Sequence, residues 1–355
     1  MISIKVQTVV AAAEKYMEDH LSRGEFVSEG EDSESKNLSD NAEILTKYYN
    51  DLPMRWQGSL VKKIGFNSSE PITKKQFKDL IENKNPFTGK NLTSRTVKGR
   101  RLYFDATTSA PKSVSILAIT MGDHHLIRAH EEATSFVISE IEKYAQTRVR
   151  VKYQDTVRKT SSILCSSVTH TTSRANDPQL HSHNLIFNVT WDEIEQKFKA
   201  LESFEIYSKA NYFTEIYRHI LAQKVQELGY QIEHQRHGWE IKGVSPEICE
   251  KFSKRSSQIK QIVSEMENDL GRKTTNKEKA IVTEKSRNLK SKNLNLEKAI
   301  KMQKDELSQE QLKSLDQVLK KAKLEKALNE ESSIKLVQTS HKKNSDFESF
   351  LRRRL

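Results

Sequence analysis

Between Ile163 and Thr190, two runs of β-branched and apolar residues flank a turn, and three histidines sit on or beside them. The first run, Ile163-Leu-Cys-Ser-Ser-Val-Thr-His170, ends on a histidine. His181 and His183 lead into the second, Asn184-Leu-Ile-Phe-Asn-Val-Thr190. Between them Ser173, Asn176, Asp177 and Pro178 supply turn chemistry. This pattern predicts an antiparallel hairpin. Residues two apart on a strand share a face, so His181 and His183 project side by side. Strand pairing then brings His170 within reach of both. Three neutral imidazoles with open coordination positions are the donor set of a catalytic metal site. A His-x-His pair alone is weak evidence, however. The chain holds 11 histidines, and on the residues alone, ordinary surface or core histidines are an equal reading.

Composition narrows the partner. Hydrophobic residues make up 35% and charged residues 30% of the 355. That allows a core in about two domains, with part of the chain solvated or extended. A net charge of +11 favours a polyanion such as nucleic acid. The two cysteines, Cys165 and Cys249, show neither metal nor redox spacing and are expected as reduced thiols. No apolar run approaches a membrane span. The start, Met1-Ile-Ser-Ile-Lys-Val6, lacks the charged opening and apolar centre of a signal peptide, so a cytoplasmic location is expected.

Along the chain, Ile2 to Val6 alternates as a strand, and Thr8 to His20 reads as a helix that carries Tyr16. Gly24 to Asp40 is an acidic, serine-rich loop. A helix over Asn41 to Asn50 carries Tyr48 and Tyr49, and Trp56 follows Pro53. Ile72 to Asn83 is a short helix with Thr73 as its cap. A turn at Pro86–Gly89 and a basic loop over Lys90–Arg101 lead to a strand over Arg101–Thr107. Pro111 fits the first turn of a helix, and His124 to about Thr147 has the spacing of a long amphipathic helix. Arg148 to Asp155 is a basic strand. Beyond the histidine hairpin come a helix from Ser208 to Leu228, a hairpin turning near Gly238, and a helix opened by Ser245-Pro246. After about Ile259, Lys and Glu dominate, which predicts exposed helices and then a disordered tail ending Arg352-Arg-Arg-Leu355. The fold class expected is α+β: an antiparallel sheet flanked by helices, then a helical Lys/Glu-rich extension. The boundary expected lies between residues 1–272 and 273–355.

Four segments then line up. They are Tyr16 with the doublet Tyr48-Tyr49 ahead of Arg55-Trp-Gln-Gly58; Phe104-Asp105-Ala-Thr-Thr-Ser-Ala-Pro-Lys112-Ser-Val-Ser115; His170-x-Thr-Ser-Arg174-x-x-Asp177-Pro-Gln-Leu-His181-x-His183; and Gln226-Glu-Leu-Gly-Tyr230 with Phe252-Ser-Lys-Arg255. Together they resemble the MobF-class (TrwC/TraI-type) conjugative relaxases, a branch of the two-histidine (HUH) endonucleases, over roughly residues 1 to 272. The resemblance implies an enzyme that nicks one DNA strand at the origin of transfer of a plasmid or other mobile element. It implies Tyr16 as the nucleophile forming a 5′-phosphotyrosine link, and Asp105 beside the metal site. It also implies His170, His181 and His183 as ligands of a divalent ion, with Tyr48 or Tyr49 available for a second strand transfer.

An all-imidazole set suits zinc, copper or nickel, whereas the resemblance implies Mg2+ or Mn2+. Zn2+ stands as the alternative. A tyrosine with a pKa of about 10 is phenolate in about one molecule in a thousand at neutral pH, a deficit of roughly 4 kcal/mol. Asp105 would either act as a general base or fix the tautomer of a ligating histidine. The expected DNA contacts are Lys112, Arg174, Arg100, Arg101 and Arg150, with Lys90, Lys98, Arg148 and Lys152 beside them, and stacking on Trp56. The partners implied are single-stranded and hairpin DNA at the origin, relaxosome accessory proteins and a type IV secretion coupling protein, with passage into a recipient cell while joined to DNA. Two departures stand out. The first tyrosine-pair position reads Tyr16-Met17, and the second pair follows an acidic insertion. No phosphate-binding Gly-x-x-x-x-Gly-Lys-Ser/Thr loop occurs, so no nucleotide cofactor is expected here and any motor would lie elsewhere. The competing readings are a rolling-circle replication initiator, an inactive single-stranded DNA-binding protein, and a zinc hydrolase using metal-bound water.

Overall fold

The computed structural model describes residues 1–21, 55–68, 70, 72–173, 175–286 and 296–329. β1 (Ile2–Gln7) and α1 (Val10–Leu21) open the chain. β2 (Arg55–Gln57), α2 (Leu60–Ile64), α3 (Lys74–Ile81) and β3 (Tyr103–Ser109) follow. α4 (Lys112–Ser115) runs into a π-helical turn (Ile116–Thr120), and α5 (His124–Glu142) leads to the hairpin β4 (Gln146–Val151) and β5 (Gln154–Lys159). β6 (Cys165–Thr172) and β7 (Pro178–Phe187) form the second hairpin. Then come β8 (Thr190–Asp192), β9 (Lys197–Lys199), α6 (Phe204–Ser208), α7 (Ala210–Glu227), β10 (Ile232–Gln235) and β11 (Gly238–Ile241). α8 (Pro246–Lys251), α9 (Lys254–Leu270), α10 (Asn276–Lys285) and α11 (Leu296–Asp305) precede a last helix, α12, over residues 309–329.

The local signals act as the sequence expects at several ends. Thr73 and Gln76 close a reciprocal capping box at the start of α3. The Ser245 side chain accepts from Ile248 N, with Pro246 in the first turn of α8. One end differs: the helix expected to reach Thr147 stops at Glu142. From Thr147 the alternation Thr-Arg-Val-Arg-Val belongs to a strand, and Gln146 to Val151 pair with β5 instead.

The main sheet has the order β1-β3-β7-β6-β2, and every neighbouring pair is antiparallel. Its two faces bury separate cores, because side chains alternate along each strand. Phe104, Ala106, Cys165 and Ile186 face the larger core, with Leu126, Ala133, Val137 and Ile141 of α5 and Phe213, Tyr217 and Leu221 of α7. Tyr103, Leu185, Phe187, Val168 and Trp56 face the other way, onto Ala13 and Met17 of α1, Leu60 and Ile64 of α2, and Phe77 and Leu80 of α3. α1 therefore lies against the second face, which is where the histidines project.

The C-terminal helices depart from the expectation of an exposed extension. Ile300, Leu307, Leu315 and Ala322 belong to the larger core. Gln303 is buried, accepting from Thr120 Oγ1 at 2.8 Å and donating to the Asn176 carbonyl at 2.8 Å. Gly229, at φ +87°, lets α12 approach so closely that an added Cβ would sit 2.1 Å from the Ala322 carbonyl oxygen. These apolar residues form a core stripe whose partner lies far away in sequence, hidden by a composition of Lys and Glu.

Candidate active site

The site begins with register. β6 and β7 set His170 opposite His181, and β3 and β7 set His183 opposite Thr107. Asp105 is two residues before Thr107 and so shares its face. At this end of the second face, polar groups replace the apolar layer of Tyr103, Leu185 and Phe187. The three imidazole centroids lie 5.3 Å (His170 to His181), 5.6 Å (His170 to His183) and 5.3 Å (His181 to His183) apart.

Their hydrogen bonds determine tautomers. His183 Nδ1 lies 2.8 and 3.0 Å from the two Asp105 oxygens, and His181 Nδ1 lies 2.9 Å from the Gln179 carbonyl. A carboxylate and a carbonyl can only accept, so each Nδ1 is the protonated donor and Nε2 of the neutral ring carries the lone pair. Thr107 donates to Asp105 Oδ1 at 3.2 Å and lies 3.3 Å from His183 Nδ1. Thr107 was missed by the sequence reading, although its spacing of two from Asp105 on a strand was the available signal.

The spacing suits a metal. A metal–nitrogen distance of about 2.1 Å at tetrahedral angles places imidazole centroids about 5.4 Å apart. Among the described residues no three His, Cys, Asp or Glu side chains gather their donor atoms on one point. Closing the three rings on an ion therefore calls for ring reorientation, while the strand positions already agree. His170, His181 and His183 fit as the holders, with Asp105 outside the ligand set as a partner of His183.

Tyr16 reaches this cluster from α1. Ala13 and Met17 are buried in the second core, which orients the helix and turns the Tyr16 ring edge-on to His183, with centroids 5.6 Å apart at 78°. The Tyr16 hydroxyl is buried. Burial, then the charge of Asp105, then Tyr103 push its pKa well above the ordinary tyrosine value. The nucleophile candidate thus rests as a neutral phenol, and ionising it takes a nearby cation or proton acceptor. Burial, with Asp105 second, also raises Tyr103.

The remaining candidates scatter. Tyr48, Tyr49 and Arg174 lie outside the described residues. Trp56, expected to stack on DNA, is 5% exposed and stacks on Phe66 at 4.0 Å between centroids, so its ring is committed to the core. Lys112 donates to the Pro178 carbonyl at 3.0 Å and to Gln179 Oε1 at 2.8 Å, which ties it to the start of β7. Burial lowers its pKa. Arg100 is half-buried, and Arg101 reaches Ser203 Oγ at 3.3 Å. Arg148 and Arg150 are exposed on β4, Lys152 sits at its turn, and Lys90 and Lys98 are exposed in the loop before β3.

Three comparisons bear on this arrangement. The family model described as TrwC relaxase matches residues 10–310. The multifunctional conjugation protein TraI of Escherichia coli is 36% identical over 223 residues, which is 59% of this chain and 12% of that protein. The chain thus corresponds to a small part of that relative's length. Among solved structures, the conjugative relaxase TrwC in complex with oriT DNA, metal-bound, aligns over 86% of this chain and 97% of its own, with a TM-score of 0.70 and 26% identity. A copper-bound structure of the same complex covers 89% and 99%, with a TM-score of 0.71 and 26% identity.

Proposed function

The chain belongs to the TrwC relaxase family, and from that premise we propose that it nicks one DNA strand at an origin of transfer and holds the cut end as a phosphotyrosine. The observation that carries this reading is the edge of Tyr16 against His183, which is itself fixed by Asp105 within a set of three imidazoles. In the reaction the Tyr16 Oη–P bond forms and the P–O3′ bond breaks. The 3′ oxygen leaves as a hydroxyl after taking a proton, and the 5′ phosphate stays on the protein. The step exchanges one phosphodiester for another, so it is reversible without ATP.

The chain's own residues divide the work. Tyr16 supplies the nucleophile, its hydroxyl buried away from bulk water. Asp105 accepts a hydrogen bond from His183 Nδ1–H and holds that ring in the tautomer whose Nε2 carries the lone pair. The 2.8 Å contact favours this role for Asp105 over that of general base to Tyr16. His170, His181 and His183 would hold a divalent ion, Mg2+ or Mn2+ in use, with Zn2+ as the alternative. Such an ion supplies Lewis-acid stabilisation of charge on the phosphate oxygens. A buried phenol beside a carboxylate needs a compensating positive charge, which gives the cluster its sense.

The substrate proposed is single-stranded DNA continuous with a hairpin, as in the solved TrwC complex with a 27-mer comprising the recognition hairpin and the cleavage site. Arg148, Arg150 and Lys152 on the β4–β5 hairpin, with Lys90, Lys98 and Arg101, are the cations proposed to meet its phosphates. Tyr48 or Tyr49 is proposed for the second transfer. Residues 1–272 are proposed as the nicking unit. The helices beyond them complete its core, consistent with a family match that continues to residue 310. Accessory proteins, a secretion coupling protein and cytoplasmic action followed by transfer while joined to DNA complete the proposal. No helix among the described residues is long and apolar enough to cross a membrane.

Oligonucleotides spanning the source element's candidate origin, incubated with and without EDTA and run on denaturing gels, test this. Wild type should give a metal-dependent protein–DNA adduct, and Tyr16→Phe should give none. An adduct that persists in Tyr16→Phe moves the nucleophile to Tyr48 or Tyr49. Cleavage without an adduct in either protein would overturn the transesterase mechanism in favour of hydrolysis.

A further inference from the structure

Directly behind the imidazoles, on the opposite face of the sheet, the larger core contains a polar belt. Ser182 sits between His181 and His183 in sequence and points the other way. Its hydroxyl lies 2.8 Å from Thr169 Oγ1 on β6 and 2.8 Å from His130 Nε2 on α5. His130 Nδ1 in turn lies 2.6 Å from the Tyr217 hydroxyl on α7. Ser182 is 1% exposed, and His130 and Tyr217 are fully buried. In such surroundings each polar group costs stability unless it is bonded, and here a chain of bonds joins β6, β7, α5 and α7.

The backbone explains why this belt sits where it does. The β6–β7 ladder is regular as far as His170 opposite His181 and shifts register between His170 and Thr172. The rung carrying two of the imidazoles is therefore the last regular one, with a bulge on its outer side. Main-chain pairing holds His181 to Ser109 of β3, but across the bulge the β6–β7 ladder resumes only at Thr172 opposite Pro178. The Thr169–Ser182 pair is one rung inboard, and it ties the two histidine-bearing strands together from the back. His130 anchors that tie to a long helix. Burial drops the pKa of His130 to about 3, so the ring stays neutral and serves as one donor and one acceptor.

We propose that Ser182, held by His130 and Thr169, is a positioning residue that sets the relative placement of His170, His181 and His183 for the nicking reaction. This inference rests on the metal-ligand reading of the three histidines. Misplacement of about 1 Å in a reacting constellation costs on the order of a hundredfold in rate, and outer partners of ligating histidines are worth about 10–100-fold in metal affinity. The belt acts through the backbone, since none of its side chains shares a face with the imidazoles.

The test uses the whole chain and Mn2+ as the probe, with binding read by electron paramagnetic resonance and nicking resolved into KM and kcat. Wild type should bind Mn2+ and His183→Ala should not; failure of wild type to bind would overturn the ligand reading and this inference with it. Given binding, Ser182→Ala and Thr169→Val should weaken Mn2+ affinity about tenfold and lower kcat, with the KM for DNA held. Thr169→Ser, which keeps the hydroxyl, should restore both. Thr134→Val is the control: it breaks the 2.9 Å bond to Thr108 in the same core, so it should lower Tm and leave Mn2+ binding as in wild type. If Ser182→Ala and Thr169→Val lower Tm like Thr134→Val yet bind Mn2+ and turn over as wild type, the belt is merely structural and the proposal falls.

Discussion

Two hairpins of this chain make opposite use of the same geometry. β6–β7 lies inside the five-stranded sheet, covered on both faces, and carries the three imidazoles. β4–β5 is a separate two-stranded ribbon with Arg148, Arg150, Val151, Lys152 and Val157 exposed and Tyr153, at its tip, 91% exposed. Its base alone is anchored, by Val149 in the interior and by Thr147 donating to the Ala200 carbonyl at 2.9 Å. Its two-residue turn, Lys152-Tyr153, has φ of +50° and +65°, the hand that suits a tight hairpin but strains non-glycine residues. The buried hairpin can set the backbone positions of three rings because neighbours pair along each strand. The ribbon can offer charge to a backbone because little covers it. Position is what chemistry demands, and access is what phosphate contact demands.

The largest expected effect breaks the buried hairpin's chemistry without touching its packing. Tyr16→Phe removes one oxygen and should lower adduct formation by on the order of 10³-fold or more, while DNA binding, measured by anisotropy, stays within about twofold. Equal loss of binding and cleavage would mean that Tyr16 serves affinity rather than attack. Asp105→Asn should weaken Mn2+ binding by about 10–100-fold, because the partner of His183 loses its charge. The same change has a second signature. Burial is the largest cause of the raised Tyr16 pKa and Asp105 the next, so neutralising Asp105 should bring the phenol down while leaving it above the ordinary value. NMR titration of labelled tyrosine reads this directly. An unmoved titration would separate Asp105 from the nucleophile.

Most of the buried hairpin was legible in the chain. The two β-branched runs, the turn residues and the spacing of His181 and His183 rest on local chemistry, and the strands formed where that chemistry put them. The capping box of α3 and the Pro246 start of α8 were legible for the same reason. What was hidden was non-local. Trp56 beside polar residues read as a surface aromatic, and only the approach of Phe66 and Phe187 makes it core. Lys112 read as a phosphate contact until the start of β7 supplied its acceptors. The helices after residue 295 read as exposed because Lys and Glu dominate them, yet a few leucines and Gln303 suffice once the other elements supply a surface. His130 was one histidine among 11, between Ala129 and Glu131, and its partners, Ser182 and Tyr217, come from two other elements.

His130 also ties stability to pH. Its folded pKa of about 3 lies below the ordinary histidine value. Below about pH 6.5 the unfolded chain takes up a proton that the folded chain refuses, so stability present above that pH is lost as pH falls toward 3, by about 1.4 kcal/mol per pH unit. Urea unfolding of wild type against His130→Gln, followed from pH 7 to 4, should show a steeper acid loss in wild type. Parallel slopes would remove His130 as the buried proton-refusing group.

The smallest effect belongs to the ribbon, and it should differ in kind. Arg150→Ala and Lys152→Ala leave the imidazoles in place, so metal affinity and the single-turnover cleavage rate at saturating DNA should match wild type. Binding should weaken a few-fold at moderate salt, and the slope of log Kd against log salt should flatten by about 0.7–0.9 for each phosphate contact removed. Because phosphates carry no sequence, the loss should be equal for origin and scrambled hairpins. If it falls on the origin alone, the ribbon reads bases in a groove, as a two-stranded ribbon has the dimensions to do. If neither the slope nor the affinity moves, the ribbon's exposure serves something other than DNA, and the contrast between a positioned hairpin and an accessible one loses its second half.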